Sequence, residues 1–175
     1  NNESVYRAKV GGRGRYQKTG SDWRNKMVMQ IEPESVLSMR FERPDSDLEF
    51  RLMDSQWVLS SDPQFELDQK GLQQMSQSLS KVRASQLLSS DFDGGFSQPA
   101  SRVVLGLEGG EERVLVFGSL RTKGASFVRL EGEEQVYRVS AMKRDITLGS
   151  KKDYRSLQIL QTSPIELSSV RLEAH

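Results

Sequence analysis

Two stretches of the chain repeat one another. Residues 5–42 read VYRAKVGGRGRYQKTGSDWRNKMVMQIEPESVLSMRFE, and residues 136–173 read VYRVSAMKRDITLGSKKDYRSLQILQTSPIELSSVRLE. They align without a gap at one constant offset, that of Val5 to Val136, with identities that include Tyr6/Tyr137, Arg13/Arg144, Asp22/Asp153, Arg24/Arg155, Pro33/Pro164 and Arg40/Arg171. A long-period repeat is the mark of units stacked along a chain, and it takes precedence over any local reading. The expected organisation is the C-terminal part of one unit in residues 1–33, a complete unit in 34–163, and the first strand of a following unit in 164–175.

A unit of about 130 residues can bury a core without crosslinks or metals, and this chain has no cysteine with which to make either a disulfide or a thiolate nucleophile. The single histidine, His175, is the last residue, so histidine-based catalysis is not expected. Net charge is +1, which supplies no global field for nucleic acid or anionic lipid. Apolar runs such as Val103-Val104-Leu105 and Val114-Leu115-Val116-Phe117 are far shorter than the roughly 20 residues needed to span a bilayer as a helix.

Within the complete unit, Leu37, Met39 and Phe41 alternate with polar residues, as do Leu48, Phe50 and Leu52 after Pro44-Asp45-Ser46-Asp47; these are two half-buried strands about a turn. Trp57-Val58-Leu59 makes a third. Asp68 is a good N-cap for a helix whose apolar stripe, Leu72, Met75, Leu79 and Val82, runs at three- and four-residue spacing toward Leu87-Leu88. After the break at Asp91–Gly95 and Pro99, Val103–Leu107 and Val114–Phe117 flank the turn pair Gly109-Gly110, and Phe127–Leu130 and Val136–Val139 flank Glu131–Glu134. The predicted fold is α+β: an antiparallel meander of three strands, one helix and four strands, with the helix packed on one face of the sheet.

In this order and spacing, the Trp57 strand, the Asp68-to-Leu88 helix, the Val114–Gly118 strand, Phe127-Val128-Arg129 and Val136-Tyr137 resemble the DUF4340 family. The resemblance implies a bacterial envelope protein with an N-terminal membrane anchor, repeated domains on the extracytoplasmic (periplasmic) side, and an association with gliding-type ABC transport systems. It brings no catalytic residues and no cofactor. It also implies a helix after the Val-Tyr strand, whereas Gly11-Gly12-Arg13-Gly14 in the first copy is too rich in glycine for a stable one.

Several constellations carry both a functional and a bland reading. Arg13, Arg15, Tyr16 and Lys18 combine cations with an aromatic ring and could contact phosphates and stack a base; the aligned stretch, Met142–Gly149, lacks that character, which favours a solvated connector. Arg24 and Arg155, each after an Asp and an aromatic residue, could recognise an anion, or could pair structurally with Asp22 and Asp153. Asp91-Phe92-Asp93-Gly94-Gly95 begins like a calcium loop but lacks the distal glutamate. Trp57 reads as an anchor between sheet and helix. The carboxylates of Glu108–Glu112 and Glu131–Glu134 fall on hairpin tips.

The expectation that follows is a non-enzymatic, extracytoplasmic scaffold or ligand-contacting domain, with protein partners in an envelope transport complex, no cofactor, no metal, no nucleic-acid partner and scope for self-association through edge strands. Two alternatives remain. One is a carboxylate-only envelope hydrolase or glycan-binding protein; the other is nucleic-acid binding through Arg13–Lys18.

Overall fold

A computed structural model describes residues 25–157 of the chain. Ten strands, two helices and two short 3-10 turns follow one another in this span. The first strand, β1 (Met27–Gln30), leads through a 3-10 turn at Pro33–Ser35 into β2 (Val36–Glu42), β3 (Leu48–Met53) and β4 (Gln56–Leu59). Helix α1 (Gln69–Ser80) comes next, then β5 (Lys81–Arg83) and β6 (Gln86–Leu88). The second half contains β7 (Ser101–Leu107), β8 (Glu112–Phe117), β9 (Ala125–Leu130) and β10 (Val136–Ser140), followed by α2 (Ala141–Asp145) and a 3-10 turn at Lys151–Tyr154.

Eight strands form one antiparallel sheet in the order β4-β3-β2-β7-β8-β9-β10-β6, and β1 pairs with β5 in a separate two-stranded ribbon. Two hairpin ribbons, β2-β3-β4 and β7-β8-β9-β10, are therefore sewn together by pairing of β2 with β7, where Met39 faces Leu105 and Phe41 faces Val103. The expected hairpins are present. Gly109 and Gly110 both adopt positive φ, +87° and +85°, at the β7–β8 turn, a conformation that costs glycine little.

The strands alternate as their sequences require. Met39, Phe41, Phe50, Val103, Leu105, Leu115, Phe117, Val128 and Val139 line one face and meet Leu72, Met75 and Leu79 of α1, all in one buried cluster. Leu79 is completely inaccessible. Asp68 caps α1 by accepting the Gly71 amide at 3.0 Å. On the opposite face, Arg40 and Glu42 of β2 and Arg102 of β7 join Glu131 beyond β9, so that Arg102 bridges two carboxylates.

Part of that opposite face is covered. The segment between β6 and β7 lies over it, with the Phe92 ring 4.8 Å from that of Phe127 and the Arg129 guanidinium 4.8 Å from the Phe96 ring. Asp93 accepts the Gly95 amide at 2.8 Å, and the Gly94 and Gly95 carbonyls accept the amides of Leu120 and Ser119. The aspartate–glycine run is thus a docked loop.

Four features differ from the expected three-one-four order, one of them α2, a second helix after β10. Helix α1 stops at Ser80 and does not continue to Leu88. Ser80 Oγ bonds back to the Ser76 and Gln77 carbonyls, and from Lys81 onward the burial alternates exposed, buried, exposed, as in a strand. Val82 is fully buried, as the helical stripe demands, but it sits on β5. Strands β5 and β6 thus replace the last two helical turns, and β1 adds a strand ahead of β2, with Val28 and Met29 both buried across a register shift in its pairing. The expected strands at Val5–Arg7 and Ser169–Leu172 lie outside the described residues.

Candidate functional site

A concavity lies between α1 and α2. Its geometry follows from two ties. At the C-terminal end of α1, the Lys143 ammonium donates to the Ser78 carbonyl and to Ser78 Oγ, the latter at 2.7 Å. A cation at this position satisfies a helix carbonyl without an intrahelical partner and opposes the negative end of the helix dipole. At the N-terminal end, the Asp68 amide donates to the Tyr154 carbonyl at 2.9 Å, and Leu67 bridges Arg155. Helix α2 and the Lys151–Tyr154 turn are held alongside α1, and a groove of about 820 Å³ remains between them. Leu72, Met75, Met142, Ile146 and Tyr154 make its wall mainly apolar.

Several polar groups of the groove are already engaged. Tyr154 donates its hydroxyl to the Ile146 carbonyl at 2.8 Å while its ring packs edge-on against Phe50 at 5.0 Å; burial pushes its pKa up to about 12. Burial likewise lowers the pKa of Lys143, which has only neutral acceptors about it. Asp153 accepts from both the amide and the hydroxyl of Ser150, a capping box that holds its pKa down. Asp145 pairs with Arg121 and Arg144 at 3.4 Å each. With Asp68, the rim carries three carboxylates and one ammonium. Met142, 71% exposed, stands over the groove as an unprotected apolar side chain.

A second, shallower depression of about 480 Å³ lies on the opposite sheet face, where Arg40, Glu49, Arg51 and Glu112 surround Ser38 and Val104. Its charges neutralise one another: Arg51 pairs with Glu49 at 2.9 Å and Arg40 with Glu42 at 3.1 Å. Hydrogen bonding to Glu131, reinforced by Glu42, raises the pKa of the neighbouring Arg102.

Of the sequence candidates, Arg13, Arg15, Tyr16 and Arg24 lie outside the described residues. Arg155 is exposed, with its guanidinium 5.7 Å from the Phe65 ring, and Lys151 stands over the same ring at 4.3 Å. The structural pairing considered for it, with Asp153, is not made; Asp153 Oδ2 accepts from Ser150 instead. Arg144, aligned with Arg13, is 2% exposed, and among the described residues its Nε is one of the few buried side-chain atoms without a hydrogen-bond partner. The anchor role of Trp57 is clear: its indole donates to Gln73 Oε1 at 3.4 Å, and its main chain is bound by Gln69. Neither Lys143 nor Tyr154 stands out in the sequence. The available signal is the aligned stretch Met142–Gly149, whose ordinary composition disguises its place beside α1.

Among the described residues, no group of three or more His, Cys, Asp or Glu side chains is arranged to hold a metal ion, and no helix is long and apolar enough to cross a membrane. Comparison with curated proteins and with solved structures finds no match. The profile of one family, described as a domain of unknown function, DUF4340, matches twice, over residues 1–94 and over residues 57–175. Between them the matches take in the whole length of the sequence, and the chain belongs to the DUF4340 family.

Proposed function

We propose that this chain is a non-enzymatic scaffold or ligand-contacting domain of a membrane-anchored envelope protein, facing the extracytoplasmic side and accessory to an ABC-type transport system. Repeated units, in the register that aligns Val5 with Val136, would build its extended surface. The observation that carries the reading is the state of the groove: Lys143, Tyr154 and Asp153 spend their hydrogen bonds on Ser78, Ile146 and Ser150. What remains for a ligand is mainly apolar surface and shape, which serve recognition better than proton transfer. The carboxylate-only hydrolase is the weaker reading, since Glu131 is held by Arg102 and Glu111 by Arg113.

Location is the first thing to test. A membrane-impermeant lysine reagent, applied to cells whose outer membrane has been permeabilised, is expected to label the parent protein as readily as a periplasmic marker. Protection equal to that of a cytosolic marker would refute the reading.

A further inference from the structure

The groove between α1 and α2 differs in charge from one end to the other. At one end the Lys143 ammonium lies against Ser78; Asp68 and Asp153 mark the other, about ten residues of helix or roughly 15 Å away. Leu72, Met75 and Ile146 line the stretch between. Lys143 is half-buried, and among the described residues no carboxylate pairs with it. Its partners are the Ser78 carbonyl and hydroxyl, which use two of the three N–H donors of an ammonium. Asp145, two residues on, is shared instead by Arg121 and Arg144. We infer that the groove binds a single-chain amphiphile with an anionic head, a free fatty-acid carboxylate, its head on Lys143 and its chain along the apolar wall toward Tyr154.

Charge places the head. An ammonium taken partly out of water beside neutral acceptors bears a desolvation cost, visible in the lowered pKa of Lys143, and an arriving carboxylate offsets it with a charge-assisted hydrogen bond to the third donor. Asp68 and Asp153 disfavour the reverse orientation. The wall selects the chain. Tyr154 has donated its hydroxyl to Ile146, so a peptide laid along Leu72 and Met75 would leave amides unpaired, whereas an alkyl chain needs no polar partner. Met75 and Met142 are side chains that adapt to such a chain, and Met142, 71% exposed, gains cover from it. An anionic bilayer is a poorer source of the same head group, because Asp68, Asp145 and Asp153 on the rim would repel its surface. The inference rests on the groove as a recognition surface and not on the transport assembly, so a titration of purified protein can fail without bearing on location, and the converse.

The test is calorimetric titration of the full chain with octanoate and decanoate, below the concentrations at which they form micelles. One site per chain is expected, tightening by about three- to four-fold for each added methylene. Decyltrimethylammonium, with the same chain and a cationic head, is expected to bind at least about ten-fold more weakly than decanoate. Met142→Glu sets a like charge over the groove at an exposed position and should weaken decanoate binding several-fold, whereas Leu37→Glu at the depression on the opposite sheet face should leave it unchanged. Lys143→Met keeps the stem, removes the charge and should abolish the preference for the anionic head. No binding of decanoate, an affinity indifferent to chain length, tighter binding of the cation, or equal binding by the parent and Met142→Glu would each overturn the inference. Co-sedimentation of the chain with phosphatidylglycerol vesicles that decanoate does not compete away would overturn it in favour of a membrane surface as occupant.

Discussion

The side-chain amide of Gln69 brackets the backbone of Trp57: Gln69 Oε1 accepts the Trp57 amide at 2.8 Å, and Gln69 Nε2 donates to the Trp57 carbonyl at 2.9 Å. Trp57 lies on β4, an outer strand of the eight-stranded sheet, and Gln69 is the first residue of α1. The amide therefore does for Trp57 what a neighbouring strand would do. An unpaired edge is a template for aggregation, and here a helix residue occupies it.

Gln69→Ala removes both bonds and leaves a backbone donor and acceptor at the edge. Each such bond contributes about 1 kcal/mol net, so a loss of about 1–3 kcal/mol in unfolding free energy is expected. Amide exchange at Trp57 should accelerate several-fold. Gln73→Ala, which removes only the indole bond, should leave that exchange unchanged; equal exchange in Gln69→Ala and the parent would show that the bracket does not protect the edge.

Leu79→Asp puts a carboxylate at a completely inaccessible position of α1 facing the sheet. Burying an unpaired charge there costs several kcal/mol, which is comparable to the whole stability of a domain. The variant should lack a cooperative thermal transition. A melt at the parent temperature would mean that the core is elsewhere.

Gly118 marks where the β6–β7 loop is seated on the sheet. A Cβ added there would overlap the Gly94 carbonyl oxygen, a backbone atom that cannot move without unseating the loop. Gly118→Ala is expected to destabilise by about 1–3 kcal/mol, in the range of overpacked sites. Gly124→Ala, whose added Cβ meets nothing within 4 Å but whose φ is +70°, isolates the backbone strain alone. If Gly118→Ala melts at the parent temperature, the seating of the loop contributes nothing.

How much of this is legible in the sequence depends on distance along the chain. The hairpin at Gly109-Gly110, the cap at Asp68 and the stripe of Leu72, Met75 and Leu79 are local signals, and they hold. Val82 misleads because its spacing from Leu79 fits a helix, while Lys81 and Arg83 on either side equally fit an edge strand, and so short a stretch cannot separate the two periods. The groove cannot be read from the sequence at all. It depends on Lys143 meeting Ser78, far away along the chain, and no local pattern encodes that meeting. The repeat points to the right stretch, since Arg13 aligns with Arg144 inside α2, but composition suggests a mere connector.

Tyr154 sets an alkaline limit. Its pKa is raised from 10.0 to about 12, chiefly by burial, so between these values the unfolded chain loses the phenolic proton while the folded one keeps it. The stability from this residue is complete below pH 10 and declines as pH rises through 12. Tyr154→Phe removes the titration along with the bond to Ile146, and its melting temperature should fall less steeply than the parent's over pH 10–12. Parallel slopes would show that Tyr154 ionises freely in the fold.

The claim that this domain works by recognition within an envelope transport assembly is tested most directly by purifying the intact parent protein from solubilised membranes after crosslinking in the cell. The account predicts recovery of ABC transporter subunits with it, in yields unchanged when Glu108, Glu111, Glu112, Glu133 and Glu134 are replaced by glutamine. Recovery without any transporter subunit, or hydrolysis of envelope glycan by the purified protein that these same replacements abolish, would contradict it.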